Sequence, residues 1–202
     1  MKKMAFGIME VPRCNPEYDP LPSIFGVAMH TWLQAAAEYD NELLGRRRWI
    51  TETRVEVTPG LSGSADLYDT DTDTVIDWKN LGYTSFVDKV KDPGFTYKGQ
   101  LQLYGKGFQN AGFDVKRVAI AILPRSGTLT KMSLDHLVPY DEAQANAIIA
   151  RREAVIAMLH DFDIEDHPER YDWFPVAPSE CVFCPWWRPE ARGPLQCSGK
   201  AA

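Results

Sequence analysis

Asp77 and Lys79, in Val75-Ile76-Asp77-Trp78-Lys79, form the first pattern in this sequence whose residue types could do chemistry. Side chains alternate across a strand, so these two share one face while Trp78 points to the other. Gly63-Ser64-Ala65-Asp66 lies one hairpin's length upstream, and a strand there would bring Asp66 to the same sheet edge. Two carboxylates and an ammonium suit phosphodiester hydrolysis. The carboxylates hold a divalent ion that polarises the phosphate and lowers the pKa of a water, and the lysine orients that water or stabilises developing charge. Asp-x-Lys alone arises often by chance, and the chain has a second copy, Asp114-Val115-Lys116. That copy reads as a solvated strand entrance, since no partner carboxylate and turn lie just upstream. The first copy is followed by Gln100 and Tyr104, four apart and therefore on one helical face. Glu52 and Glu56 precede Asp66 on a strand. Paired strand carboxylates are usually solvated, although both could reach the site, and Glu52 is the possible site residue of the two.

The cysteines make a second constellation. Cys181-x-x-Cys184 is followed by Cys197, and Cys14 stands far upstream. Four thiolates suit a four-cysteine zinc site or a [4Fe-4S] cluster, and the local spacing does not separate the two. Either would be structural, with no open coordination position, and would staple a tail that has little periodic core. Trp173, Phe174, Phe183, Trp186 and Trp187 are expected to pack around it, with base stacking as the sharper alternative.

The elements that must position these residues follow from periodicity. Ser23 to Leu44 is helical and stops at Gly45; Ile50 to Thr58 alternates as a strand and turns at Pro59-Gly60. Strands are expected at Gly63 to Tyr68 and from Val75 to Lys79, joined by the polar stretch Asp69 to Thr74, with loop residues then running to about Gly94. Tyr97 to Phe108 reads as a helix, Arg117 to Leu123 as a buried strand and Leu129 to Ser133 as one more. Asp141 opens a final helix with Gln144 in the capping-box position. This order predicts an α/β domain with a mixed central sheet flanked by helices.

Here the chain resembles a known family. SGSADLYDTDTDTVIDWKN followed by GQLQLY is similar to the nuclease core of RecB-like PD-(D/E)XK enzymes, including the iron-sulfur CRISPR-associated exonucleases and their phage relatives. The similarity runs from about Gly26 to Tyr104 and resumes in the cysteine tail. It implies a single restriction-endonuclease-like domain, with residues 1–160 as the nuclease core and 161–202 as a cysteine-rich tail closing a metal site with Cys14. By the same resemblance His30 would join Asp66, Asp77 and the Trp78 carbonyl as metal ligands, and Lys79 would be the catalytic lysine. Gln100 and Tyr104 match the family's Gln-x-x-x-Tyr motif, which lies beside the active site and positions DNA or the lysine. Imidazole beside carboxylates favours Mn²⁺ somewhat more than an all-oxygen site would, with Mg²⁺ still usable. In the iron-sulfur members one cysteine before the core joins three near the C-terminus, which implies a [4Fe-4S] cluster on Cys14, Cys181, Cys184 and Cys197, with zinc as the alternative.

Composition sets bounds on this reading. With 202 residues, of which 45% are hydrophobic, the chain can bury one sizeable core. A net charge of -6 argues against coating nucleic acid through bulk basicity, so DNA contact must be local or metal-mediated. Arg46 to Arg48, Lys89, Lys91 and Lys98 are candidates for a local basic surface. Glu10 cuts the first apolar run below the length of a signal-peptide core, and no apolar stretch is long enough for a membrane span. The expectation is therefore a cytoplasmic protein, in the host cytoplasm if phage-encoded, and in that reducing compartment four cysteines are poor disulfide candidates. The expected function is a Mn²⁺/Mg²⁺-dependent exonuclease acting on single-stranded DNA or free ends in recombination, repair or phage replication, beside a single-strand annealing protein. The rivals are a nuclease trimming DNA for a CRISPR-type integrase and a non-catalytic, metal-stapled module that binds DNA ends.

Overall fold

The computed structural model describes residues 2–14, 21–132, 134, 136–174, 184–188, 190, 195, 197 and 199. In chain order they form α1 (Lys2–Ile8), α2 (Leu21–Leu44), β1 (Trp49–Thr58), β2 (Leu61–Asp69), β3 (Thr74–Leu81), α3 (Tyr83–Lys91), α4 (Gly94–Asn110), β4 (Arg117–Pro124), β5 (Val138–Pro139) and α5 (Glu142–Asp161). The chain divides into two compact units, Pro20–Ile149 and Met1–Asp19 with Ala150–Ala202. The resemblance implied a boundary at residue 160, with Cys14 joined to the tail through a metal site. Contacts instead place the N-terminal segment with the tail, because Ala5 and Phe6 of α1 are buried among Leu159, Ile164, Tyr171 and Phe174. Among the described residues no helix is long and apolar enough to cross a membrane.

The larger unit is α/β, as expected, with a five-stranded sheet ordered β1-β2-β3-β4-β5. The β1–β2 and β2–β3 pairs are antiparallel, β3–β4 is parallel and β4–β5 is antiparallel. A parallel pair needs a crossover, here supplied by α3 and α4. Alternation along β3 sends Val75 to one face, against Leu101 and Phe108 of α4, and Ile76 and Trp78 to the other, against Met29, Leu33 and Ala37 of α2. Strand β4 is buried on both faces, which is why it reads as a continuous apolar run.

Two elements differ from the sequence expectation. The stretch expected to be loop contains α3, whose Phe86 and Val90, four apart, pack on the core. Flanking Gly82, Pro93 and Gly94 hid a helix whose Phe86 and Val90 are partly buried against the core. The strand expected at Leu129 to Ser133 begins instead as a 3-10 turn, Leu129–Lys131, and the sheet gains its edge at Val138–Pro139. Ser133 lies outside the described residues.

Helix α2 has no fully buried residue, so polar ties at its C-terminal end add to the packing of Met29, Leu33 and Ala37. The Asn41 carboxamide accepts the N–H groups of Arg48 and Trp49 and donates to the Trp49 carbonyl, each at 2.8 Å. Trp49 Nε1 donates to Asp40 at 2.6 Å. Bidentate pairing of Arg48 with Asp69 at 2.9 Å locks the start of β1 to the end of β2.

Helix α4 approaches β1 closely because residue 107 is glycine: a Cβ there would lie 2.5 Å from Cγ2 of Val55. Gly107→Ala is expected to destabilise the fold by about 1–3 kcal/mol through overpacking, read as a lower urea midpoint with an unchanged slope.

Candidate metal centre

Strands β2 and β3 pair only from Leu67↔Ile76 to Asp69↔Thr74, and beyond that register they part. The parting leaves the Trp78 N–H without a partner strand, and Asp66 fills the gap: its Oδ2 accepts that N–H at 2.6 Å. Its other oxygen lies 3.2 Å from Nδ1 of His30, on α2. Across the β1–β2 hairpin, Thr51↔Leu67 and Thr53↔Ala65 flank the Asp66 position, and Glu52 stands between them. Glu52 has φ of 43°, a left-handed backbone rare for a non-glycine residue within a strand. Such strain costs about 1–3 kcal/mol and clusters at functional sites. His30, Glu52 and Asp66 each offer a ligand atom, all within 4.8 Å of one another.

These donors suit a small divalent cation. Bonds of about 2.0–2.2 Å put neighbouring ligand atoms about 3 Å apart, a closure that rotation of the exposed Glu52 side chain can supply. The electrostatics point the same way. Burial, then Asp66, raises the Glu52 pKa. The hydrogen bond to Asp66 raises that of His30, so proton and cation compete for one imidazole. Burial pushes Asp77 up to about 6, with Asp66 adding to the rise and Lys79 opposing it.

Asp77 lies beside this group, with its Oδ2 2.6 Å from Nζ of Lys79. The same ammonium sits 5.2 Å above the centre of the Tyr97 ring. Gln100 Nε2 donates to the Tyr104 hydroxyl at 2.8 Å. Burial raises the Tyr104 pKa, and it feels the charges of Asp77, Lys79 and Asp66. Gly63 of β2 makes room for it, since a Cβ there would come within 2.9 Å of the tyrosine ring.

The sequence had given the ligand set as His30, Asp66, Asp77 and the Trp78 carbonyl, with Glu52 last. The group whose ligand atoms lie within 4.8 Å of one another is His30, Glu52 and Asp66, with Asp77 paired to Lys79 and the Trp78 N–H bonded to Asp66. Position on the strand before Asp66 was the only signal available for Glu52. Glu56 is exposed and outside the group, and Asp114 and Lys116 pair with each other in solvent. Arg46 and Arg48, read as DNA-facing candidates, are spent on Asp71 and Asp69, and Lys98 on Asp92.

In the smaller unit the cysteine-bearing segments converge. The Cys14 N–H donates to the Pro185 carbonyl at 2.9 Å, one residue after Cys184. Trp187 forms a bridge with Cys197, and the Arg188 N–H donates to the Cys197 carbonyl. Among the described residues Cys14, Cys184 and Cys197 form no disulfide with one another. Tyr171 is buried and stacked on Phe6, and burial, then Cys197, raises its pKa. Trp186 stacks near Phe6 and ties to the Val11 carbonyl at 2.8 Å, and Phe174 is buried in the same cluster. Cys181 and Phe183 lie outside the described residues.

Because the folded protein holds Asp77 with a raised pKa, ionising it costs stability. In metal-free protein this contribution is present below the ordinary value of 3.8 and is lost as pH rises through about 6. Asp77→Asn is expected to flatten that segment of a melting-temperature profile. Manganese affinity, measured by calorimetry, is expected to strengthen as pH rises past the same point, and to fall about tenfold or more in Glu52→Gln and His30→Ala. In comparisons with protein-family models, curated proteins and solved structures the chain matches none, and the chemistry of the centre is read from its own residues.

Proposed function

We propose that this protein is a metal-dependent DNA exonuclease of the restriction-endonuclease-like PD-(D/E)XK type, acting on single-stranded DNA or free ends in recombination, repair or phage replication. The observation that carries the reading is the convergence of His30, Glu52 and Asp66 within 4.8 Å, beside the Asp77–Lys79 pair. A bound Mn²⁺ or Mg²⁺ would polarise a phosphoryl oxygen and lower the pKa of the attacking water.

The chain's own residues supply the rest. His30 would offer a neutral imidazole nitrogen, and Glu52 and Asp66 carboxylate oxygens. Asp66 is held in place by the Trp78 N–H, so it needs little reorganisation to take up this role. Asp77 keeps the Lys79 ammonium at the site, where it orients the water and stabilises negative charge building on the phosphate. The Tyr104 hydroxyl, which accepts from Gln100, keeps its own proton to donate to a phosphate oxygen of the strand. A single-strand annealing protein is the partner such an exonuclease would serve.

The proposal extends to the smaller unit, where Cys14, Cys181, Cys184 and Cys197 would hold a [4Fe-4S] cluster that fastens the N-terminal segment to the tail. The main-chain bonds that gather Cys14, Cys184 and Cys197 support it.

Asp77→Ala and Lys79→Ala are each expected to cut degradation of labelled DNA ends in Mn²⁺ by about a hundredfold or more, with circular dichroism unchanged. EDTA is expected to abolish the wild-type activity. Full activity in both variants would remove the assignment. Anaerobically purified protein is expected to be brown with iron-sulfur absorbance that Cys184→Ala loses, and stoichiometric zinc in its place would overturn the cluster.

A further inference from the structure

A cleft of about 410 Å³ lies on the flank of α2 away from His30, between that helix and the loop leaving β4. Phe25, Ala28, Met29 and Trp32 form one wall, and Pro124 with residues 125–128 forms the other. Phe25 and Trp32, seven residues apart on one helical face, are 49% and 54% exposed, so the core does not account for them. Across from them Arg125 reaches the Asn80 carbonyl and carboxamide oxygens at 3.4 Å, and among the described residues it has no carboxylate partner. The Asn80 Nδ2 behind it is buried without a hydrogen-bond partner among the described residues.

The cleft opens at the same end of the sheet as the metal centre. Lys79 pairs with Ile122 and Leu81 with Pro124, so two residues of strand and one strand spacing separate Lys79 from the cleft wall, about 8 Å of backbone. Flat aromatic faces over an apolar floor, with one unneutralised guanidinium at the rim, match an unpaired nucleobase and its phosphate. Stacking supplies affinity regardless of base identity, and the cation supplies the phosphate contact that the acidic chain offers in few places.

We propose that this cleft is a stacking site for an unpaired nucleobase of the strand entering the metal centre, with Arg125 on the adjoining phosphate. The strand's destination rests on the nuclease reading; the stacking does not. The test uses a fluorescein-labelled oligothymidylate and an abasic oligonucleotide of equal length, titrated in EDTA and followed by anisotropy. Trp32→Ala is expected to weaken oligothymidylate binding about tenfold, Trp32→Phe to restore most of it, and Arg125→Ala to weaken both ligands. Abasic binding is expected not to respond to Trp32→Ala. Unchanged affinity in Trp32→Ala, or an equal loss on the abasic strand, overturns the proposal. So does a drop in oligomeric state on sedimentation with oligonucleotide binding intact, which would make the cleft an interface between copies. The two readings fail separately: base-dependent binding through Trp32 with no hydrolysis in Mn²⁺ or Mg²⁺ removes the nuclease and keeps the cleft. Hydrolysis with full affinity in Trp32→Ala and Arg125→Ala does the reverse.

Discussion

The hydrogen bond from the Trp78 N–H to Asp66 is the contact on which the centre is built. Where β2 and β3 separate, a main-chain donor would be buried with nothing to accept it, at a cost of about 1–3 kcal/mol. A carboxylate in that position satisfies the donor and is itself fixed. One oxygen closes the backbone gap, which leaves the other directed at His30. An acidic residue is thus held in a geometry that a solvated side chain would not keep.

Around that bond the molecule accepts local cost. Glu52 adopts a left-handed backbone, Asp77 is buried with a raised pKa, and carboxylates that repel one another share a small volume. His30 and Lys79 offset part of the charge. The remainder is sustained by regular structure some distance away: the Arg48–Asp69 pair, the Asn41 tie between α2 and β1, and the apolar layers on both faces of β4. Functional sites in folded proteins are where local rules give way, and the surrounding consistency is what permits it.

That distribution explains what was legible in the sequence. Alternation exposed β3 and put Asp77 and Lys79 on one face, and the apolar run exposed β4, because both signals are local. The hairpin placed Asp66 on the neighbouring strand for the same reason. Glu52 was weakly legible because its role depends on an unusual φ and on where the hairpin register falls, neither of which residue type encodes. Helix α3 was missed because it is short, flanked by Gly82, Pro93 and Gly94, and tied to the core by partial burial of Phe86 and Val90, a tertiary contact. The arginine run looked like a nucleic-acid surface because charge is visible in sequence while partners such as Asp69 and Asp71 are not.

The same partners constrain how an acidic chain would handle a polyanion. Arg46, Arg48, Lys98 and Lys106 are each paired with a carboxylate, so their fields are largely cancelled at the distance of an approaching strand. Around the C-terminal ends of β3 and β4 the pattern changes. Lys89 sits over Tyr97 and Arg125 rests on neutral oxygens, while Lys79 reaches the same ring from its pair with Asp77. Under the nuclease reading, Lys89 and Arg125 would supply local attraction at this end of the sheet, beside the carboxylates that need a cation. A strand held by few phosphates there gains little from sliding along the protein's flanks. Such an arrangement favours capture of a terminus over coating of a duplex, and net negative charge then helps by repelling DNA everywhere else.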